Sequence, residues 1–182
     1  MREISITNRH PRLRFNRRAL VNAIHHLDAH FRYTPADLPQ VTPPLAPDAG
    51  RCPSPTPSLV PPGELSVSFL TDAALAKLHA DYLDDPTTTD VITFEGDVTM
   101  DHAGDICVSA DTALAFAVKH KLPFAEELLR YVIHGWLHLA GYDDLEPRKK
   151  RRMRAAEERA LKLLRAAGRL PVFSLRPLRS VL

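Results

Sequence analysis

The chain has 182 residues, 45% of them apolar and 25% charged, the proportions of an ordinary folded protein long enough for one sizeable core. No run of about 18 apolar residues occurs, so no membrane-spanning helix is expected, and two cysteines, Cys52 and Cys107, are too few for a disulfide framework and lack a paired metal-binding spacing. The net charge of +2 hides an asymmetry: residues 1–147 carry 12 basic against 20 acidic side chains, residues 148–182 carry 12 against 2.

The start, Met1 to Ile6, has no apolar signal core; it reads as a strand over residues 2–7, and a cytoplasmic protein is expected. A helix is predicted over residues 15–30. Ten of the sixteen prolines then fall between Pro35 and Pro62. Such a stretch sustains neither helix nor strand, so residues 34–63 are expected as a proline-rich surface insertion. From Glu64 onward Leu65, Val67 and Phe69 alternate with Ser66 and Ser68, the pattern of a half-buried strand. Thr71 is placed to cap a helix with Leu75, Leu78 and Tyr82 along one side.

Residues 88–94 and 105–108 are rich in β-branched side chains and read as core strands, with Cys107 a buried, inert thiol. Ser109 or Asp111 opens a helix to about residue 119. After Pro123 an apolar helix spans residues 124–139. Pro147 suits the first turn of a last helix to about residue 167, which Gly168 ends. Residues 168–182 are left as a basic C-terminal tail. The whole, residues 1–182, is read as one α+β domain: a single mixed sheet of about four strands covered by helices.

The chemistry concentrates in His134-Gly135-Trp136-Leu137-His138-Leu139-Ala140-Gly141-Tyr142-Asp143-Asp144. Residues four apart lie on one face of a helix, roughly 6 Å apart at Cβ, so His134 and His138 can converge on one ion. Gly141 can take the left-handed conformation that closes a helix and folds the chain back, which places Asp144 to give an oxygen ligand, with Asp143 beside it as the competitor. Two imidazoles and a carboxylate leave a fourth position open, the catalytic rather than the structural pattern for zinc. Zinc proteases of the H-E-x-x-H class carry a glutamate general base directly after the first histidine. Here that residue is Gly135, which argues for a hydrolase of another kind. Close behind comes the run Arg148, Lys149, Lys150, Arg151, Arg152 and Arg154. Folded near the metal, it would hold a polyanion in a salt-dependent way.

The stretch from His134 to Asp144 resembles the signature H-G-x-L-H-L-x-G-Y-D-H of the YbeY-type endoribonuclease and rRNA maturation factor family. Thr89-Asp90-Val91-Ile92-Thr93-Phe94 is similar to that family's T-D-V-L-S-F strand, and Gly104-Asp105-Ile106-Cys107-Val108-Ser109 to its G-D-I-x-I-S strand. The resemblance spans residues 64–167. It implies a zincin-like metal-binding helix, bound Zn2+ on His134 and His138, and single-strand-specific cleavage of RNA in ribosomal RNA processing and ribosome maturation. The implied partners are RNA and the ribosome or its proteins, with no DNA and no membrane. Two departures stand out: Asp144 occupies the position where that family usually has a third histidine, and Leu83 follows Tyr82 where many members have an arginine.

Metal-dependent cleavage of a phosphodiester is thus the leading expectation, with Asp90, His120 and Asp143 as candidate bases and Trp136 and Tyr142 either stacking on bases or packing in the core. A non-catalytic zinc-containing assembly protein and a metal-dependent hydrolase of another substrate are the alternatives.

Overall fold

The computed structural model describes residues 1–34, 59–83 and 89–177, the side chain of Leu83 excepted. Cys52, the last five residues of the expected tail and most of the expected proline-rich insertion therefore lie outside the described residues. In chain order the elements are β1 (Ile4–Asn8), β2 (Leu13–Phe15), α1 (Arg17–His30), β3 (Glu64–Leu70), α2 (Asp72–Leu83), β4 (Val91–Glu95), a 3-10 turn (Val98–Met100), β5 (His102–Ser109), α3 (Ala110–His120), α4 (Phe124–Leu139), α5 (Pro147–Ala166) and β6 (Phe173–Leu175).

The main sheet is mixed and four-stranded, in the order β1-β3-β5-β4, with β4 antiparallel to β5 and the other neighbours parallel. Leu65, Val67 and Phe69 of β3 are fully buried while Glu64, Ser66 and Ser68 are half-buried, as the alternation predicts. Their register with Ile6 of β1 and Ile106 and Val108 of β5 aligns apolar side chains across the strands. Helix α4 packs on this sheet, and its Leu128, Leu129, Val132, Ile133 and Trp136 are buried in one core with Leu65, Val67, Phe69 and Ile106. Trp136 also ties α4 to α1: its indole Nε1–H donates to Asp28 Oδ1 at 3.1 Å, and Asp28 in turn meets Arg2 Nε at 2.9 Å. Among the described residues no helix is long and apolar enough to cross a membrane.

Several boundaries differ from the sequence reading. Helix α1 starts at Arg17, not at residue 15, because Asn16 caps it: the Asn16 side chain accepts from the Ala19 amide at 3.2 Å. The preceding residues Leu13–Phe15 pair with Phe173–Leu175 in a second, two-stranded antiparallel sheet. The segment expected as a basic tail therefore contributes β6. Phe173 is buried there against Phe15 and Phe69, with ring centroids 5.3 and 5.7 Å away; apolar burial outweighs the basic character of the surrounding residues. Strand β5 also begins earlier than expected, at His102, and Cys107 within it is buried, its thiol pushed up to about 11 by that burial.

Gly135 lies where α4 crosses the sheet. A Cβ there would sit 2.5 Å from Ile106 Cγ2 and 3.1 Å from Thr93 Cγ2, so the position after the first histidine faces packed strand side chains and has no room for a glutamate. Gly135→Ala gains helix propensity of about 1 kcal/mol but overpacks a β-branched neighbour that cannot swing away, at about 1–3 kcal/mol. A net loss of about 1 kcal/mol, lowering the melting temperature by roughly 2–4 °C, is expected in thermal unfolding; a stabilised variant would contradict this packing.

Candidate metal centre

The last turn of α4 and the turn after it bring three side chains together. His134 and His138 share one face of the helix, their Nε2 atoms 2.9 Å apart. Gly141, with φ of 85°, then reverses the chain: its amide donates to the His138 carbonyl at 2.8 Å and the Tyr142 amide to the Leu137 carbonyl at 3.0 Å, the paired bonds of a Schellman helix end. The reversal returns Asp144, whose Oδ1 lies 3.8 Å from His138 Nε2. One ligand atom from each of His134, His138 and Asp144 falls within 4.8 Å of the other two.

The opposite edges of the two imidazoles decide what the centre can hold. His134 Nδ1 lies 2.7 Å from Glu157 Oε1, and His138 Nδ1 lies 3.0 Å from the Tyr142 carbonyl oxygen. A carboxylate and a carbonyl only accept, so both Nδ1 atoms carry hydrogen and both Nε2 atoms present lone pairs to the same small space. Two acceptors at 2.9 Å repel each other unless a positive charge sits with them. Without a metal that charge is a proton on His134. Burial pulls the His134 pKa down, but the hydrogen bond and charge of Glu157, helped by Asp90 and Asp144, more than offset this and raise it. Burial and the neighbouring His134 lower that of His138. The donor set fits a divalent ion such as zinc, with each imidazole oriented by an outer partner.

The centre opens into a groove of about 320 Å³. Its floor is the same face of α4, carrying Glu127, Arg130, Tyr131 and His134 one turn after another; α5 contributes Lys150, Met153, Arg154 and Glu157, α3 contributes Phe116, and Asp90 stands at the start of β4. Glu127 and Glu157 are buried acids. Burial raises the Glu127 pKa against the opposing effect of Arg130, whose guanidinium reaches Glu127 at 3.4 Å and Glu157 at 3.7 Å.

The structure separates the remaining candidates. Asp143 turns away from the histidines: it is held by the Lys149 ammonium at 2.8 Å and the Leu145 amide at 2.8 Å, and Lys149 pulls its pKa below the usual carboxylate range. Asp90 lines the groove while accepting from the Val91 amide at 3.0 Å. His120 is stacked on Phe116 rather than aimed at the centre. Of the basic run, Lys150 and Arg154 line the groove, Lys149 is engaged by Asp143 and Glu146, and Arg148, Arg151 and Arg152 are on the exposed side of α5. Trp136 and Tyr142 are 0% and 6% exposed, which makes them core residues and not stacking surfaces. Glu157 and Glu127 were not anticipated. Their signal was present: Glu157 falls on the stripe of α5 that carries Met153, Ala160, Leu161 and Leu164, and Glu127 is seven residues before His134 on its face.

The family model described as Endoribonuclease YbeY matches residues 53–165, which include the two strand motifs and the whole metal motif. The chain belongs to this family. Among its relatives are the Endoribonuclease YbeY of Protochlamydia amoebophila, 41% identical over 100 residues and covering 53% of this chain and 67% of that protein, and that of Porphyromonas gingivalis strain W83, 40% identical over 103 residues with coverage of 57% and 68%. The solution structure of TM1509 from Thermotoga maritima has the same α+β fold, with a TM-score of 0.54 at 22% identity over 91% of each chain.

The outer partners predict how the centre responds to change. Glu157→Gln removes the charge behind His134 and is expected to weaken zinc binding by about 10- to 100-fold, read by competition with a chromophoric chelator; equal affinity would show that Glu157 does not orient a ligand. Because Glu157 raises the His134 pKa against its burial, a metal ion must displace a proton there, so affinity is expected to rise with pH and to level off once the imidazole is neutral. Flat affinity from pH 6 to 8 would contradict this order of binding.

Proposed function

We propose that the protein is a zinc-dependent endoribonuclease that cuts unpaired stretches of ribosomal RNA during ribosome maturation in the cytoplasm, with His134, His138 and Asp144 as the metal ligands. The observation that carries the reading is the pair of inward-facing Nε2 lone pairs at 2.9 Å, beside Asp144, at the end of a groove with basic side chains on one wall. Membership of a family whose members are named for endoribonuclease activity supplies the reaction class.

When bound, zinc supplies Lewis-acid polarisation of a phosphodiester oxygen. The chain supplies the rest. Glu157 and the Tyr142 carbonyl hold the two imidazoles in one tautomer. Lys150 and Arg154 hold the backbone phosphates, and Asp90, the sequence-expected base that lines the groove, is assigned the proton acceptance. The charges are balanced so that the ion matters for binding as well. Asp90, Glu127, Asp144 and Glu157 oppose Arg130, Lys150, Arg154 and, without a metal, the proton on His134, four negative against four positive; a divalent cation in place of that proton leaves the groove net positive and attractive to a polyanion.

Three outcomes follow. His138→Ala should abolish cleavage of single-stranded RNA and lower zinc content; undiminished cleavage would remove the metal from the reaction, and RNA binding without cleavage by the unmutated protein would favour an assembly role. Asp90→Asn should lower the cleavage rate by about 10²–10⁴ at unchanged zinc content, and a normal rate would clear Asp90 of the role. Replacing Lys150 and Arg154 together by Ala should reduce the slope of log affinity against log salt by about 0.7 per contact, whereas Arg151→Ala, on the exposed side, should leave the slope nearer its original value; equal slopes in all three would place the RNA elsewhere.

A further inference from the structure

We propose that Phe116, buttressed by His120, is a stacking platform for one unpaired nucleobase of the strand held in the groove. The inference rests on the nuclease reading of that groove and adds a specificity-determining residue to it. Helix α3 buries Ala110, Ala113 and Ala117, and Phe116 is not part of that stripe. It is 40% exposed, a large apolar ring left facing water, and it lines the same groove as His134, Asp144, Lys150 and Arg154.

The ring is also held in place. Its centroid is 4.1 Å from that of His120, one turn further along α3, with the planes tilted by only 32°. A partner stacked on it from the same helix restricts the Phe116 rotamer and spares a ligand part of the ordering cost. Phe116 on α3 faces a groove whose α5 wall carries Lys150 and Arg154. One wall is therefore aromatic and the other cationic, as a single strand requires: bases stack on aromatic side chains while the backbone follows positive charge. A base inside a duplex has both faces covered by its neighbours and cannot use the platform, so Phe116 selects for unpaired nucleotides. Tyr131, which lines the groove beside His134, and Trp136 and Tyr142 of the metal motif are all buried and cannot serve.

The test compares the full-length zinc-loaded protein with Phe116→Ala, Phe116→Leu and Phe116→Trp. The probes are a single-stranded oligoribonucleotide carrying one 2-aminopurine and an RNA duplex of the same sequence. Affinity and cleavage of both probes are measured together with thermal unfolding. The Ala and Leu variants should bind the single strand about tenfold more weakly and lose the quenching of 2-aminopurine, with duplex affinity and melting temperature unchanged; the Trp variant should restore single-strand binding. Leu keeps the apolar bulk, so its failure to substitute separates stacking from mere packing. Unchanged single-strand affinity in the Ala and Leu variants, or an equal loss for both probes, overturns the platform even if the unmutated protein cuts RNA normally. Conversely, quenching that depends on Phe116 in a protein that binds but never cuts RNA upholds the platform while the nuclease reading falls.

Discussion

Two imidazole edges, each with its proton committed elsewhere, turn their lone pairs toward one point. That arrangement cannot exist without a positive charge, and much of the surrounding structure serves to maintain it. Glu157 comes from α5, the Tyr142 carbonyl from the turn after α4, and Asp144 from the segment that the turn returns. Each alone is an ordinary contact. Together they leave the two nitrogens no neutral solution in which one donates to the other while both outer bonds survive. A proton on His134 satisfies the pair in the metal-free state, and a cation takes its place on the same geometry.

This geometry is only as good as the helix that carries it, and α4 is held on several sides. It crosses the sheet over Gly135, is pinned to α1 through the Trp136 to Asp28 bond, and is flanked by α3 and α5. The consequence is a division of one helix between two solvents: apolar side chains on three sides, and a single polar stripe running from Glu127 through Tyr131 and His134 to His138. From His134 back to Glu127 the stripe extends the groove for about two turns, long enough to hold more than the reacting group.

Helix α4 was legible in the sequence to the residue, because its apolar period, the proline before it and Gly141 after it agree. The alternation in β3 and the cap at Thr71 were legible for similar local reasons. The His134, His138 and Asp144 cluster was legible because helix geometry and a glycine stop fix it within eleven residues. What escaped was long-range. The pairing of Leu13–Phe15 with Phe173–Leu175 joins segments about 160 residues apart, and no local pattern announces it. The choice of Lys150 and Arg154 from a run of basic residues depends on the rotation of α5 against α4. His120 illustrates the limit of residue type: a histidine near a metal motif reads as a base, and only the 4.1 Å approach to Phe116 reassigns it.

Glu127 and Glu157 bring these threads together. Glu157 lies on the apolar stripe of α5 and Glu127 on the polar stripe of α4, yet both are nearly inaccessible, at 6% and 3% exposure. Burying an ionised carboxylate is costly unless it is paired and hydrogen-bonded, and apolar residues at both positions would pack at least as well. The structure meets the cost by sharing Arg130 between the two acids and by giving Glu157 the His134 Nδ1–H. Such an arrangement is poorly explained by stability, since each pairing only offsets a penalty that the chain need not have incurred. It is well explained if the acids act on something beyond the fold: Glu157 by orienting and strengthening a ligand, Glu127 by keeping Arg130 extended along the groove floor. Buried acids are thus the part of the sequence where folding rules give way to chemistry. In this chain both buried acids line the groove that begins at His134.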